Sequence, residues 1–385
     1  MRFRLLAIVI VAAGFSALVL SQPDNAEDLK FEKLMDDYLQ KLWQRSPLLA
    51  TFSGIHQYDD RIQPFSLEEA RSSLEQNKKL AARFQKEMDR SKLGEQFRID
   101  YDLLMMGVRQ EEFSLLQSRG LERDPGTYPQ IVAGVGFLMF TREYAPFNDR
   151  MKNLAIRMEK MPEILEEGKK NVKNPPKLLT NIAIETTKGA IQLYEKVIGP
   201  GAKQLPEDNA VGAHLEAANT KLVAALRSYQ EFLEKDLLQR SNGNFADGRE
   251  NFVYRLKNFY LLDETPEQIK ATAEKVLIET KTQMDTLARK MDTGRPWWEI
   301  LEEAKKKHFS AEAVLPEYRK MTDRARRWVI EKKLATIPEE QLDVIETPPF
   351  MRYVVPYAAY FPPAPFEKEQ KGFYFVTPVE ADTPA

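Results

Sequence analysis

Glu346-Thr-Pro-Pro-Phe-Met-Arg-Tyr-Val-Val-Pro-Tyr-Ala-Ala-Tyr-Phe-Pro-Pro-Ala-Pro-Phe366, joined by a short charged link to Gly372-Phe-Tyr-Phe-Val-Thr-Pro378, sets the terms for the whole chain. Its prolines remove backbone donors and push the residues before them out of the helical region, so no helix persists through it. Extended backbone is expected instead. Tyr353-Val354-Val355 and Phe373-Tyr374-Phe375-Val376 carry strand propensity, and the prolines around them confine them to sheet edges or to a lone hairpin. A free strand edge can accept an extended peptide as a further strand. The same composition also suits an arm that does no more than cover a helical core.

Upstream of this arm, apolar residues recur at helical spacing. Phe31, Leu34, Met35, Tyr38 and Leu42 mark a first helix, with Pro47 just past its end. Ser66 and Glu69 form a capping-box pair ahead of Leu67, Ala70, Leu74, Ala81, Phe84 and Met88, which predicts a second helix to about Ser91. A third is expected from Gln96 to about Arg119, with Phe97, Tyr101, Leu104, Val108 and Leu115 on one side, the three packing antiparallel. Asp124-Pro125-Gly126 is turn chemistry, and Gly134 and Gly136 flank an apolar patch ending at Phe140 that suits close helix packing or a bend.

Helical pattern resumes from Phe147 to Met161, is interrupted or restarted at Pro162, and returns from Leu178 to Ile198, where Gly199-Pro200-Gly201 stops it. The longest stripe, Leu215, Ala218, Leu222, Leu226, Tyr229, Leu233 and Leu237, predicts a spine of the fold. Past the turn-rich Ser241–Gly248, a short helix around Phe252, Leu256 and Phe259 precedes Thr265-Pro266-Glu267-Gln268, a capping box with proline at the first helical position. That helix is expected to reach Met291. Trp297 to His308 forms another, and Ser310 caps a last one carrying Tyr318, Met321, Ala325 and Trp328.

The 385 residues thus divide into a leader at 1–21, an N-terminal helical lobe at 22–240, a second helical segment at 249–345 and the arm at 346–378. One large body or two lobes are both compatible with this length. Met1-Arg2-Phe3-Arg4 followed by an uncharged apolar run from Leu5 to Leu20 reads as a secretory signal, with Val19-Leu20-Ser21 offering a cleavage site. The competing reading is a retained anchor, because an apolar run of ~16 residues is short of the ~20 a bilayer span needs. Export to the periplasm or the exterior is expected, with no stable membrane span once the leader is removed.

Zero cysteines exclude a disulfide framework, a lipid-modified leader cysteine and thiolate chemistry. The net charge of −2 becomes about −4 once Arg2 and Arg4 leave, which makes no electrostatic case for nucleic acid. Lys305-Lys306-Lys307 and Arg324, Arg326 and Arg327 read as solvated helix faces.

A zincin helix needs two imidazoles one turn apart with a nearby Glu, whereas His56, His214 and His308 are far apart in the sequence. No Gly-x-Ser-x-Gly occurs, the Gly14-Phe-Ser16 that begins like one lying in the leader, no phosphate-cradling Gly-x-x-x-x-Gly-Lys-Ser/Thr occurs, and Gly134-Val-Gly136 meets Met139 where a dinucleotide fingerprint needs a third glycine. Catalytic and metal-ligating residues are therefore both expected to be none in this chain.

Ser46-Pro-Leu-Leu-Ala-Thr-Phe-Ser-Gly54, Asp100-Tyr-Asp-Leu-Leu104, Arg123-Asp-Pro-Gly-Thr-Tyr-Pro129 and the Pro-rich arm, in this order and spacing, resemble the bacterial domain-of-unknown-function 885 family. The resemblance runs through most of the chain after the leader. It implies a mainly α fold, a multi-helix zincin-like peptidase body with a short Pro/aromatic β-like arm near the C-terminus. In that family the arm lies just before a His-Glu-x-x-Pro-Gly-His motif, and here the chain ends at Ala385 without one.

Two functions are expected on this basis. In the first, the chain is the N-terminal, cleft-forming portion of an exported zinc-dependent peptidase-like protein. It is inactive alone, zinc being expected only in a longer form with the His-Glu motif, and the C-terminal remainder of the same protein is a partner. In the second, it is a non-catalytic periplasmic or extracellular helical module that binds peptides or cell-wall fragments. Either way, the resemblance places Arg352, Tyr353, Tyr357, Tyr360 and Tyr374 beside a peptide cleft. Tyrosines there would offer apolar area plus a hydroxyl, and the arginine could clamp a carboxylate.

Overall fold

Asn25 opens the described chain by capping its first helix, its side-chain oxygen accepting from the backbone N–H groups of Glu27 and Asp28. The computed structural model describes residues 25–206, 209–292, 294–338, 340–352 and 354–379, so the expected leader lies outside the described residues. The chain forms two units. The first runs up to Ala246 and takes in Thr347–Phe375, and the second is built mainly on Asp247–Pro338.

The first unit begins with α1 (Ala26–Arg45), α2 (Pro47–Ser53), α3 (Leu67–Glu87) and α4 (Glu95–Phe113), with a tight turn at His56–Tyr58. Phe31 of α1 meets Phe84 of α3 and Phe97 of α4 edge-on, at 5.7 and 5.8 Å, inside one apolar cluster. Ser66 caps α3 by accepting from the Glu69 N–H at 3.1 Å, one half of the expected capping box. Both α3 and α4 end earlier than their periodicity suggests. After α4 the chain widens into a π-turn at Ser114–Ser118, and Arg119 at φ 52° stops it, because a left-handed residue cannot continue a right-handed helix.

A larger cluster follows, built from α5 (Gly120–Arg123), α6 (Thr127–Thr141), α7 (Phe147–Asn171), α8 (Lys177–Leu193), α9 (Gly199–Gly201) and α10 (Ala210–Lys235). The α10 stripe is the expected spine: Leu215, Leu222, Leu226, Tyr229 and Leu233 are all fully buried, and α10 lies along α7 and α8. Pro162 does not interrupt α7, which runs unbroken through it. Gly136 allows close helix packing, since a Cβ there would stand 2.4 Å from the Tyr194 hydroxyl. That hydroxyl instead donates to the Val132 carbonyl at 2.8 Å.

The second unit comprises α11 (Arg249–Asn258), α12 (Pro266–Met291), α13 (Trp297–Lys305) and α14 (Ala311–Glu331). Thr265 and Gln268 form the full reciprocal capping box at the start of α12. Its helices are amphipathic but thinly covered: among the described residues they bury only Leu256 and Ala288. Met321 and Trp328, predicted as a helix stripe, are exposed.

The arm departs from its sequence reading in register. Its strands are β1 (Gln341–Glu346), β2 (Ala358–Phe361) and β3 (Lys371–Val376), in the order β1-β3-β2. Phe373–Val376 is therefore in the central strand and not at an edge, because β1, upstream of the Pro-rich run, supplies a second neighbour. Val354 and Val355 are not in a strand either. Tyr353 lies outside the described residues, and the N–H groups of Val354 and Val355 both donate to the Met351 carbonyl, at 3.0 and 2.8 Å, in a helical turn.

Leu226→Ala should cost about 3 kcal/mol in urea unfolding, because its site cannot collapse, whereas Leu277→Ala on exposed α12 should stay within about 0.5 kcal/mol.

Candidate functional site

Gly54 shapes the site first. It ends α2 at φ 88°, a left-handed cap that glycine adopts without strain, and its N–H bonds back to Ala50 and Thr51. A Cβ there would also meet the Glu367 backbone nitrogen at 2.6 Å. The arm comes this close because the Phe366 N–H donates to the Ser53 carbonyl at 2.9 Å. Phe366 meanwhile lies edge-on to Trp43 at 5.2 Å. Two stretches that carried the family resemblance, Ser46–Gly54 and the Pro-rich arm, thus touch directly.

A second glycine seats the arm's other end. At Gly189 of α8 a Cβ would stand 2.5 Å from Phe350 Cα, and the Phe350 ring packs at 6.0 Å against Phe137 of α6. Between these two points the arm makes its turn and β2. Gln370 closes the turn that presents Glu367 by donating to the carbonyls of Ala364 and Glu367, both at 2.8 Å.

Where the arm meets the turn after α2, charged side chains line up in the interior. His56 Nδ1 is 2.9 Å from Asp59 Oδ2, and Nε2 is 3.5 Å from Glu367 Oε1. The other oxygen of Asp59 accepts from Thr51 at 2.5 Å and lies 3.8 Å from the buried guanidinium of Arg157. The other oxygen of Glu367 lies 3.3 Å from Arg142, which also donates to the Pro362 carbonyl at 2.8 Å and covers the Phe361 ring at 5.2 Å. Tyr144 stacks flat on the imidazole, ring centres 3.5 Å apart. Arg157, Asp59, His56, Glu367 and Arg142 thus follow one another in a row, with the imidazole between two carboxyl groups and an arginine at each end.

Arg157 secures the turn to α7. It is 1% exposed and donates to Arg61 O at 2.8 Å, Thr51 Oγ1 at 2.7 Å, Tyr58 O at 3.2 Å and Pro47 O at 3.3 Å. Burial lowers its pKa, and the charges of Asp59 and Tyr144 oppose that shift. Burial likewise pushes the Asp59 carboxyl up, but hydrogen bonds from His56 and Thr51 outweigh it and leave the pKa below the ordinary value. The Tyr144 hydroxyl, buried without a well-formed hydrogen bond, has its pKa raised by burial first and by the Asp59 charge second.

The residues predicted from sequence lie elsewhere on the arm. Tyr357 and Tyr360 are 79% and 55% exposed, the latter on β2 with its ring over Gly372, while Tyr374 is partly buried on β3. Arg352 Nε donates to the Thr347 carbonyl at 3.1 Å, and Tyr353 falls outside the described residues. The structure thus brings Tyr357, Tyr360 and Tyr374 to the β2–β3 part of the sheet and ties Arg352 to the segment entering it. The imidazole row escaped the sequence reading. Its local half, His56 three residues before Asp59, was a detectable signal, but Glu367 comes from the far end of the chain.

Each histidine has its own partners: His214 pairs with Glu159 at 3.1 Å, and His308 meets the Phe309 carbonyl at 2.9 Å. Among the described residues no three His, Cys, Asp or Glu side chains are placed to hold a metal ion. No helix of the described chain is long and apolar enough to cross a membrane. A cleft of about 840 Å³ runs between Asp60–Ser66 and α7, but Lys160, Glu163, Glu166, Glu167 and Lys170 along it are ion-paired at the helix surface.

A family model described as "Bacterial protein of unknown function (DUF885)" matches residues 47–385. Among solved structures, a candidate lipoprotein of unknown function from Shewanella oneidensis is similar at 20% identity with a TM-score of 0.69. The match covers 91% of this chain and 65% of that one. At that identity the likeness shows the fold. This chain spans 65% of that neighbour's length. No curated protein matches.

Arg157→Met should lower stability by about 3 kcal/mol in chemical denaturation, because buried Asp59 would lose the guanidinium 3.8 Å away and three carbonyls would lose a donor.

Proposed function

With the chain belonging to the bacterial family of unknown function DUF885, we propose that it is an exported protein whose helical body carries a peptide-recognising arm. On this reading it is the cleft-forming portion of a zinc-dependent peptidase-like protein. The observation that supports the arm's role most directly is β2. It is an edge strand of the sheet, and Tyr357 and Tyr360 stand exposed on and beside it. An edge of this kind offers backbone donors and acceptors to an extended peptide, and tyrosines flanking it supply apolar area with a polar tip. Arg352, oriented by the Thr347 carbonyl, suits a carboxylate at the entrance.

Export is supported by the basic start and apolar run of residues 1–21, and by the structural neighbour's description as a candidate lipoprotein. With no cysteine, this chain would travel by a cleaved leader and not by lipid modification. The peptidase reading rests on the family resemblance. In such a protein this portion would shape the substrate channel, and zinc would be held by the His-Glu motif of a longer form, where it would activate a water.

Labelled extended peptides titrated into the purified chain should raise fluorescence anisotropy, and the double variant Tyr357→Ala/Tyr360→Ala should weaken binding about tenfold while leaving the unfolding curve in place. No binding by the wild type, or equal affinity for the variant, would remove the arm from the recognition surface. Metal analysis after dialysis should find substoichiometric zinc and no peptide hydrolysis; tightly held zinc accompanied by cleavage would contradict this assignment.

A further inference from the structure

An imidazole set between two carboxylates has a proton problem. Neutral histidine carries one N–H and one lone pair. With the proton on Nδ1 it can donate to Asp59 at 2.9 Å, but Nε2 then turns a lone pair toward Glu367 Oε1 at 3.5 Å. With the proton on Nε2 the conflict moves to Asp59 and is worse at the shorter distance. Only the imidazolium, protonated on both nitrogens, suits both acids.

Moving the proton to a carboxyl is no escape. Asp59 is held as an anion by Thr51 and Arg157, and the other oxygen of Glu367 faces Arg142 at 3.3 Å. Asp59 has no side-chain exposure and Glu367 only 9%, so solvent screens the contacts weakly. Neither His56 Nε2 nor Glu367 Oε1 has another hydrogen-bond partner. Their attraction therefore depends on charge.

We propose that His56 is a proton-operated latch: as imidazolium it clasps Glu367 and seats the Pro362–Gln370 turn of the arm on the Gly54 cap, and on losing its proton it releases that turn. The release is local. Phe350 remains anchored at Gly189, so the arm loosens from its Glu367 end while the helical body stays folded. The groups facing His56 are Asp59 on its own turn, Tyr144 and Arg142 from the α6–α7 loop, Arg157 from α7 and Glu367 from the arm. Arg150 lies 6.0 Å beyond the Tyr144 ring, and Asp60 acts on Arg157.

The titration has the direction this geometry requires. Burial works against a charged His56, but hydrogen bonding and charge from Asp59 and Glu367 prevail and raise its pKa. A group with a raised folded-state pKa contributes fully below its unfolded value, about 6.5, and loses that contribution as pH rises through the higher folded value. The arm is accordingly seated in mild acid and freed in base.

Hydrogen exchange on the full chain without any peptide, corrected for intrinsic rates between pH 5 and 9, reads the latch independently of the arm's proposed ligand. Protection of Phe361–Gln370 should fall about tenfold for each unit by which the His56 midpoint exceeds that of the released state, while α10 amides keep theirs. The His56 ring-proton NMR signal, assigned with His56→Gln, should titrate with a midpoint above 6.5. Glu367→Gln supplies an amide that can donate to neutral His56, so its protection should be flat across this range. Wild-type protection that is already flat, a His56 midpoint at or below 6.5, or a Glu367→Gln arm that still opens with pH would each overturn the latch.

Discussion

An imidazole ring with an acid on either side constrains this molecule more than any other contact. Asp59 is fixed by Thr51 and Arg157, Glu367 by Arg142, and His56 between them joins the turn after α2 to an arm from the far end of the chain. Removing charge from the centre leaves two anions with no cation between them in a poorly screened interior. On the proposed latch, the His56–Glu367 contact lasts only while the imidazole keeps its second proton. The flat stack of Tyr144 on His56 keeps water from one face of the ring, which strengthens the dependence on its partners.

Everything that places those groups is helical packing of an ordinary kind. The α10 stripe is buried against α7 and α8, which positions α7 so that Arg157 reaches the turn, and Gly136 lets Tyr194 brace α6 close to its neighbours. Two glycines then accept the arm, Gly54 beneath Glu367 and Gly189 beneath Phe350, each at a distance no side chain could share. The aromatic face of β3 completes the seat, with Phe375 edge-on to Phe137 at 5.8 Å. The row of charges is thus built on the apolar core, and the arm's exposed tyrosines are carried by it.

The second unit shows how far periodicity goes and where it ends. Thr265 and Gln268 mark the start of α12 in the sequence and do so in the structure, because a capping box is a contact between residues three apart. The stripe on α14 is just as regular, yet Met321 and Trp328 are exposed. Periodicity reports which face of a helix is apolar, and says nothing of what lies against it. The arm was misread for a related reason: Val354 and Val355 have strand propensity, but the turn begun at Pro348-Pro349 captures their N–H groups, and Phe373–Val376 became central once β1 paired beside it.

Residues near one another in the chain settled the helices, their caps, the spine in α10, the Pro-rich break into extended backbone and the absence of thiol chemistry, because those outcomes depend on contacts within a few positions. The family resemblance likewise lay in short local motifs, and the match over residues 47–385 accords with it. Only the folded chain could decide the strand order, the burial of Arg157, and the meeting of His56 with Glu367. Each depends on residues beyond the reach of local periodicity, His56 and Glu367 being separated by most of the sequence, and nothing in local spacing encodes which acid will arrive on the second nitrogen of a given imidazole.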